Sequence, residues 1–367
     1  MDLAPSWHGA AGLAAALVLG RSRRRVLVVD SGSPRNAPSA HMHGVLGLEG
    51  ASPLEVRGRG REEASRYAVE FLADSVTAVM EQEGPTGPLT VRTAGERTVR
   101  CRMLLVASGV RDELPDLPGL AERWGTTLLH SPYCHGFEVR DQHLGLLATV
   151  PHSLHLAELA RQLSDRVTVF SGTLGPLPAE QVTRLTARGV AVVDGAVSAV
   201  EGAPEGPLEV ILADDSRHSV DSLFISPLSA PRDAFLTGLH LERDDLPLGS
   251  FLRVDPRGAT SDPRIFAAGN VVAPNATLPI CSGAGAQAGI AMNALLTAQD
   301  FDQALAGGEV PEPVQAPAEV PRPDGASEEK RSRAGRRPEP MYRPRRSRVP
   351  RLRQPDAGLM RSRRGSW

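Results

Sequence analysis

The residues best equipped for chemistry sit together in Ser131-Pro132-Tyr133-Cys134-His135-Gly136, followed by Phe137-Glu138-Val139-Arg140-Asp141. The segment reads as a redox Cys-x-x-Cys-His-Gly turn whose first cysteine is serine. A Cys-x-x-Cys pair cycles between dithiol and disulfide because its short loop keeps both sulfurs within bonding reach. With Ser131 in the first position that cycle cannot close within the segment. Cys134 can still act as a thiolate, and His135 beside it suits proton transfer near neutral pH. The plainer alternatives are a buried structural cysteine and a solvated loop histidine.

Such a segment needs elements to hold it, and several stretches announce them. Gly9-Ala10-Ala11-Gly12 opens a small-residue helix, and Arg25-Val26-Leu27-Val28-Val29-Asp30 is an apolar strand ending in an acid. A glycine turn can deliver a pyrophosphate to a helix N-terminus, with an acid some twenty residues on for the ribose. Gly9, Gly12 and Asp30 match that pattern. Trp7 stands where the first glycine of the fingerprint belongs, and Pro5 falls where a central strand should run. Met103 to Gly109 is a buried-type strand ending in Ala107-Ser108-Gly109. Ile265 to Val271 is another, ending in Ala267-Ala268-Gly269-Asn270, and the small-residue run Ser282 to Ala291 follows.

In this order and spacing the motifs resemble those of the low-molecular-weight thioredoxin reductase-like flavoproteins. That family includes thioredoxin reductases and the related dithiol oxidases of natural-product pathways. The resemblance rests on Gly9 to Asp30, Ser33-Pro34-Arg35-Asn36, His41-Met42-His43-Gly44, Ala107-Ser108-Gly109, Pro132-Tyr133-Cys134-His135-Gly136 and Ala267-Ala268-Gly269-Asn270, and spans roughly residues 8 to 300. It implies an α/β chain of two Rossmann-like three-layer domains, the second inserted into the first. The implied boundaries are 1–112 for the first part of an FAD-binding domain and 113–240 for an inserted NAD(P)-binding-like domain carrying the Cys-His-Gly segment. Residues 241–305 return to the FAD domain, and 306–367 form a tail.

The resemblance also assigns roles. Cys134 lies against the flavin, His135 is the acid/base residue, and Ser131 marks the lost interchange cysteine. FAD contacts fall to Gly9, Gly12, Asp30, Asn36, His43, Ala107, Ser108, Gly109, Gly269, Asn270, Leu278 and Pro279. Asn270 replaces the acid near the ribityl chain. His41 and His43 could touch flavin or substrate; a metal pair is the weaker reading, with no evident third ligand. Cys281 is read mainly as packing, with replacement thiol as the alternative, and the small-residue helix after it is expected to face the flavin.

The second nucleotide turn reads Leu147-Ala148-Thr149-Val150-Pro151-His152-Ser153. It has no glycine, and Val150 stands where a backbone must approach pyrophosphate closely. NAD(P)H is therefore not expected to bind there. Between the motifs, alternating patterns predict a helix over 53–69, a strand over 71–79, and strands within 89–102, at 144–150, 167–170, 190–193, 208–212 and 223–226. A helix is expected over 153–163, and 251–254 leads back to the first domain.

Composition narrows the classes. At 367 residues the chain can bury a sizeable core in more than one domain. Three well-separated cysteines argue against a disulfide-stapled secreted domain and for a reducing cytoplasm. No stretch approaches the ~20 apolar residues of a membrane span. From Arg322 onward, fourteen Arg and one Lys face five acids, so the acidic body carries a basic Pro/Arg-rich end. That end is expected to be disordered, with nucleic-acid binding the weaker reading. The whole points to an FAD-dependent oxidoreductase acting on a small thiol or disulfide, or on a thioredoxin-like protein, as a homodimer. The alternative is a degenerate, non-catalytic relative: a binding or scaffold protein, or a decayed coding sequence.

Overall fold

In the computed structural model, residues 6–7, 9–81, 84, 87–203 and 206–307 are described. The basic C-terminal segment, with the expectations attached to it, lies outside them, as does Pro5.

The chain starts with β1 (Ser6–Trp7), α1 (Ala10–Arg21), β2 (Leu27–Val29), α2 (Pro53–Ser65) and β3 (Glu70–Leu72). A meander of β4 (Val76–Glu81), β5 (Leu89–Thr93) and β6 (Thr98–Cys101) follows, then β7 (Leu104–Ala107) and β8 (Val110–Glu113). A second unit runs through β9 (Leu128–Leu129), α3 (Pro132–His135), β10 (Leu144–Leu147), α4 (Leu154–Leu163), β11 (Val167–Phe170), α5 (Ala179–Thr186) and β12 (Ala191–Val193). It continues in the meander β13 (Val197–Glu201), β14 (Leu208–Leu212) and β15 (Arg217–Val220), then β16 (Ser222–Ile225). The strand β17 (Leu228–Pro231) pairs antiparallel with β8. The return path is a hairpin of β18 (Arg243–Leu246) and β19 (Gly249–Leu252), then β20 (Ile265–Ala267) and the long helix α6 (Leu278–Ala306).

Two five-stranded sheets result, ordered β20-β7-β1-β2-β3 and β12-β11-β10-β16-β9, with every pairing parallel. The chain enters the second sheet and later returns to the first, so these are two three-layer Rossmann-type units, one inserted in the other. Parallel strands are covered on both faces, which explains their unbroken apolar runs. The alternation is visible in β16: Leu223 and Ile225 join the core under the β13–β15 meander, whereas Phe224 joins the core under α4.

Several sequence expectations are corrected. The central strand β1 forms, pairing Ser6 with both Val29 and Val106, although only two residues long. Trp7 pairs with Ala107 as the last strand residue rather than lying in the turn. The single strand expected over 71–79 is two strands in different sheets. Asp74 divides them: its amide donates to the Asp30 carbonyl, and its carboxylate accepts from the amides of Ser75 and Gly95. The 89–102 stretch folds back at Glu96, whose φ is 60°. Residues 249–252 pair with 243–246, and Leu252 and Val254 pack on the core of the first unit, as expected of the return to that domain.

The small-residue run of α6 does not face the cavity described below; it packs on α1. A side chain at Gly285 would collide with the Ala11 carbonyl, and one at Gly289 would press on Ala15. Among the described residues, no helix is long and apolar enough to cross a membrane.

Candidate active site

One cavity of about 250 Å³ collects most of the chemistry. Its floor comes from the parallel sheet. Gly9, the N-cap of α1, has no side chain to cover the helix end, and a Cβ there would meet nothing within 4 Å. The first amides of α1 therefore open onto the cavity, an arrangement suited to an anionic group. Beside them β7 ends in Ala107-Ser108-Gly109. Gly109 takes φ 71°, a conformation that favours glycine, with open space where a Cβ would stand. The Ser108 hydroxyl is buried at this wall without a hydrogen-bond partner. A buried orphan hydroxyl is costly, and here it lies at the wall of a cavity that could supply a partner.

The Cys-His-Gly segment supplies another part of the lining. Strand β9 ends just before it, and Pro132 starts the one-turn helix α3 with Ser131 as N-cap. The amides of Cys134 and His135 both donate to the Ser131 carbonyl, each at 3.1 Å. This tight turn brings Ser131, Cys134 and His135 to the cavity together. Cys134 is half-buried and unpaired. Burial holds the His135 imidazole below its ordinary range; Glu138 opposes that and His43 adds to it.

Of the other residues singled out from sequence, Asn36, His43, Gly269, Asn270 and Leu278 line the same cavity. Asn270 spends its Nδ2 on the carbonyls of Ala273, Pro274 and Ala276, at 3.1, 3.1 and 2.9 Å, and so shapes the loop before α6. Gly12, Asp30 and Pro279 are not among the lining residues. Gly12 is buried in α1. Asp30 accepts from the Gly32 amide at 2.9 Å and from Arg57 and Arg61 of α2 at 2.6 and 3.0 Å, so any ribose there meets a carboxylate already held by two guanidinium groups.

Cys281 also reaches the cavity, but burial pushes its thiol up to about 11, and the S–H points at the Ala276 carbonyl, 3.6 Å away. Packing accounts for it better than nucleophilic work does. His41 donates to the Gly50 carbonyl at 3.1 Å. Among the described residues, no cluster of three or more His, Cys, Asp or Glu side chains could hold a metal.

Arg35, from the Ser33–Asn36 motif, and His130, passed over in the sequence, complete the site. Arg35 bonds Asp112 through Nε and NH2, at 2.8 and 2.5 Å, and the Pro274 carbonyl through NH1 at 2.8 Å. His130 lies in the wall near Trp124, ring centroids 6.4 Å apart. Its imidazole is pushed down to about 4, first by burial and then by the Arg35 charge. It stays neutral at physiological pH. Its place immediately before Ser131 was the only sequence signal for it.

The second nucleotide turn is built differently. After β10, the Thr149 hydroxyl donates to the Ser226 carbonyl at 2.8 Å, and His152 Nε2 lies 3.1 Å from the Ser226 hydroxyl. The Val150 amide donates to Ser153 Oγ at 3.2 Å. The turn's own side chains occupy groups that a pyrophosphate would need, and these residues do not fit a pyridine nucleotide.

A family model described as pyridine nucleotide-disulphide oxidoreductase matches residues 8–294. The chain belongs to that family. It is 31% identical over 301 residues to the thioredoxin reductase sirT of Leptosphaeria maculans, across 78% of this chain and 91% of the relative. Among solved structures, that of HlmI is similar, with TM-score 0.79 and 43% identity over 84% of this chain and 96% of that one. An oxidoreductase from Agrobacterium tumefaciens is similar with TM-score 0.76 and 33% identity, over 81% and 98%.

Membership in the pyridine nucleotide-disulphide oxidoreductase family implies FAD, and the first unit fits it: an uncapped α1 N-terminus, two glycines facing open space and the orphan Ser108 hydroxyl share one cavity.

Proposed function

We propose that this protein is an FAD-dependent oxidoreductase that moves electrons between flavin and a thiol or disulfide substrate, with Cys134 and His135 at the reacting end. The observation that carries the reading is that Cys134 and His135 share a cavity with Gly9, Ser108 and Gly109. FAD bound there supplies a two-electron acceptor or donor. The α1 amides and Gly9 would hold its anionic group, and Ser108, Gly109, Asn36 and Leu278, which line the same cavity, would hold the rest of it. His135, neutral through burial, accepts the proton that a substrate thiol must lose before it reacts.

With Ser131 in place of a second sulfur, the chain cannot form a disulfide within the segment. The substrate best suited to it is therefore a small molecule that already carries both sulfurs; a thioredoxin-like protein is the other partner the relatives suggest. The closed turn at Thr149–Ser153 argues against a nicotinamide donor.

Three cysteines, none of them in a disulfide, fit a reducing cytoplasm. The exposed Ile290, Leu295, Phe301 and Leu305 of α6 fit burial against a second copy as a homodimer.

The test is the visible spectrum of the purified protein, followed by anaerobic addition of a small dithiol. A yellow protein that bleaches supports the proposal. The losses at Ser131 and Val150 favour one alternative, a non-catalytic relative, and a protein that binds no FAD would establish it.

A further inference from the structure

Arg232 follows β17, where the chain leaves the second unit, and it lines the cavity. Its backbone amide donates to the Gly109 carbonyl at 3.0 Å, and its NH1 donates to the Ser33 carbonyl at 3.4 Å. These two anchors follow different strands: Gly109 comes after β7, and Ser33 lies in the loop after β2. In the order β20-β7-β1-β2-β3, β1 runs between them. Trp7, the last residue of β1, is level with Ala107 of β7, and Gly9 and Gly109 each stand two residues further on. The Arg232 side chain therefore spans the end of β1 in front of Gly9, the N-cap of α1.

Its charge is not compensated there. Among the described residues Arg232 forms no ion pair, and the bond of its guanidinium to Ser33 is long for a hydrogen bond. The carboxylates at hand are taken. Asp233 is held by Arg243 at 2.9 Å, and Asp112, the one acid among the described lining residues, is held by Arg35 at 2.5 Å. A guanidinium rich in N–H donors thus shares the cavity with the open amides of α1, the positive end of the helix dipole. Two positive groups at one place call for an anion between them.

We propose that Arg232 clamps the diphosphate of FAD against the α1 terminus and supplies its counter-charge. The inference rests on the FAD reading above and adds to it a binding residue brought by the inserted unit. A diphosphate suits the place better than a single carboxylate does. It carries two negative charges, and it has acceptor oxygens enough for the α1 amides on one side and the guanidinium on the other. The sequence gave no sign of this residue, because Arg232 meets the start of α1 only through the pairing of β17 with β8 and the order of the first sheet.

The test is binding by the full-length protein, with no turnover involved. Arg232 is exposed, so Arg232→Gln should leave the urea midpoint of the flavin-free protein unchanged. In fluorescence titrations FAD affinity should fall roughly ten- to a hundredfold in Arg232→Gln, the range of one charge-assisted hydrogen bond. Arg232→Lys should recover part of the loss, since it restores the charge without the planar fork. Riboflavin, which has no phosphate, should bind the parent and Arg232→Gln alike. Added salt should weaken FAD binding less in Arg232→Gln than in the parent, because a cation has been removed.

Inorganic pyrophosphate gives a readout free of flavin. It should raise the unfolding temperature of the parent protein and not that of Arg232→Gln. Unchanged FAD affinity in Arg232→Gln, a loss of riboflavin affinity as large as that for FAD, or the same effect of pyrophosphate on both proteins overturns the clamp. If the parent protein binds no FAD, the flavin reading fails, and the pyrophosphate comparison still decides the role of Arg232.

Discussion

The amide of Cys134 donates to the carbonyl of Ser131 at 3.1 Å, which fixes the two residues in a single tight turn. The Ser131 side chain makes no capping bond in that turn. Its hydroxyl can therefore be exchanged for a thiol without loss of a local contact.

Ser131→Cys should accordingly preserve the fold and place two sulfurs in one turn. In a flavin-loaded protein, dithiol–disulfide turnover should rise by roughly tenfold or more, because one thiol can attack while the other resolves. Mass spectrometry should find an intramolecular disulfide in the oxidised variant. Cys134→Ser should abolish thiol-dependent activity in either background, and Cys281→Ser should leave it in place. Turnover unaffected by Ser131→Cys would mean that the segment does not serve the flavin.

Ser108→Ala separates stability from binding. The buried hydroxyl has no partner, so its removal should raise the stability of the flavin-free protein by about 1 kcal/mol in urea denaturation. The same change should weaken FAD binding, measured by fluorescence titration. Two effects of the same sign would remove Ser108 from the cofactor contacts.

Gly9→Val probes the α1 terminus. An added Cβ meets nothing within 4 Å, so the stability cost without flavin should be that of a poorer N-cap, about 1 kcal/mol. The side chain would occupy the space in front of the first helical amides, and flavin should be lost on dialysis. Retention at full stoichiometry would place the pyrophosphate elsewhere.

His130 should make stability depend on pH. Its folded value of about 4 lies below the ordinary value of 6.5, so between those limits the unfolded chain binds the proton more readily. The contribution is present above about pH 6.5 and is lost as pH falls toward 4. By linkage this amounts to about 2 kcal/mol between pH 7 and pH 5. His130→Gln should flatten that slope in urea denaturation. An unchanged slope would show that the ring is solvated.

NADPH at micromolar concentration should not bleach the flavin under anaerobic conditions. Thr149, Val150 and His152 are bonded to Ser226 and Ser153 within the turn. Rapid bleaching would show that these bonds yield to a nucleotide.

Local order carried much of the fold in the sequence alone. The glycine-to-acid spacing from Gly9 to Asp30, the apolar strands ending in small residues and the Pro-Tyr-Cys-His-Gly turn are short-range patterns, and each is set by backbone geometry over a few residues. They sufficed for two parallel sheets and for singling out Cys134 and His135, which share one cavity with Gly9 and Ser108. What they could not contain was the pairing of side chains distant in the chain. Asp112 meets Arg35 across 77 positions, and Ser226 meets His152 across 74. Asp30 is taken by Arg57 and Arg61 only because α2 packs against α1 and brings these arginines to the end of β2. The strand expected over 71–79 breaks because Asp74 finds the amide of Gly95, a partner that exists only once the meander has formed. The depressed His130 arises likewise from burial against groups brought in by both sheets. Periodicity reports which face of an element is apolar; which polar groups then meet is decided by how those faces dock.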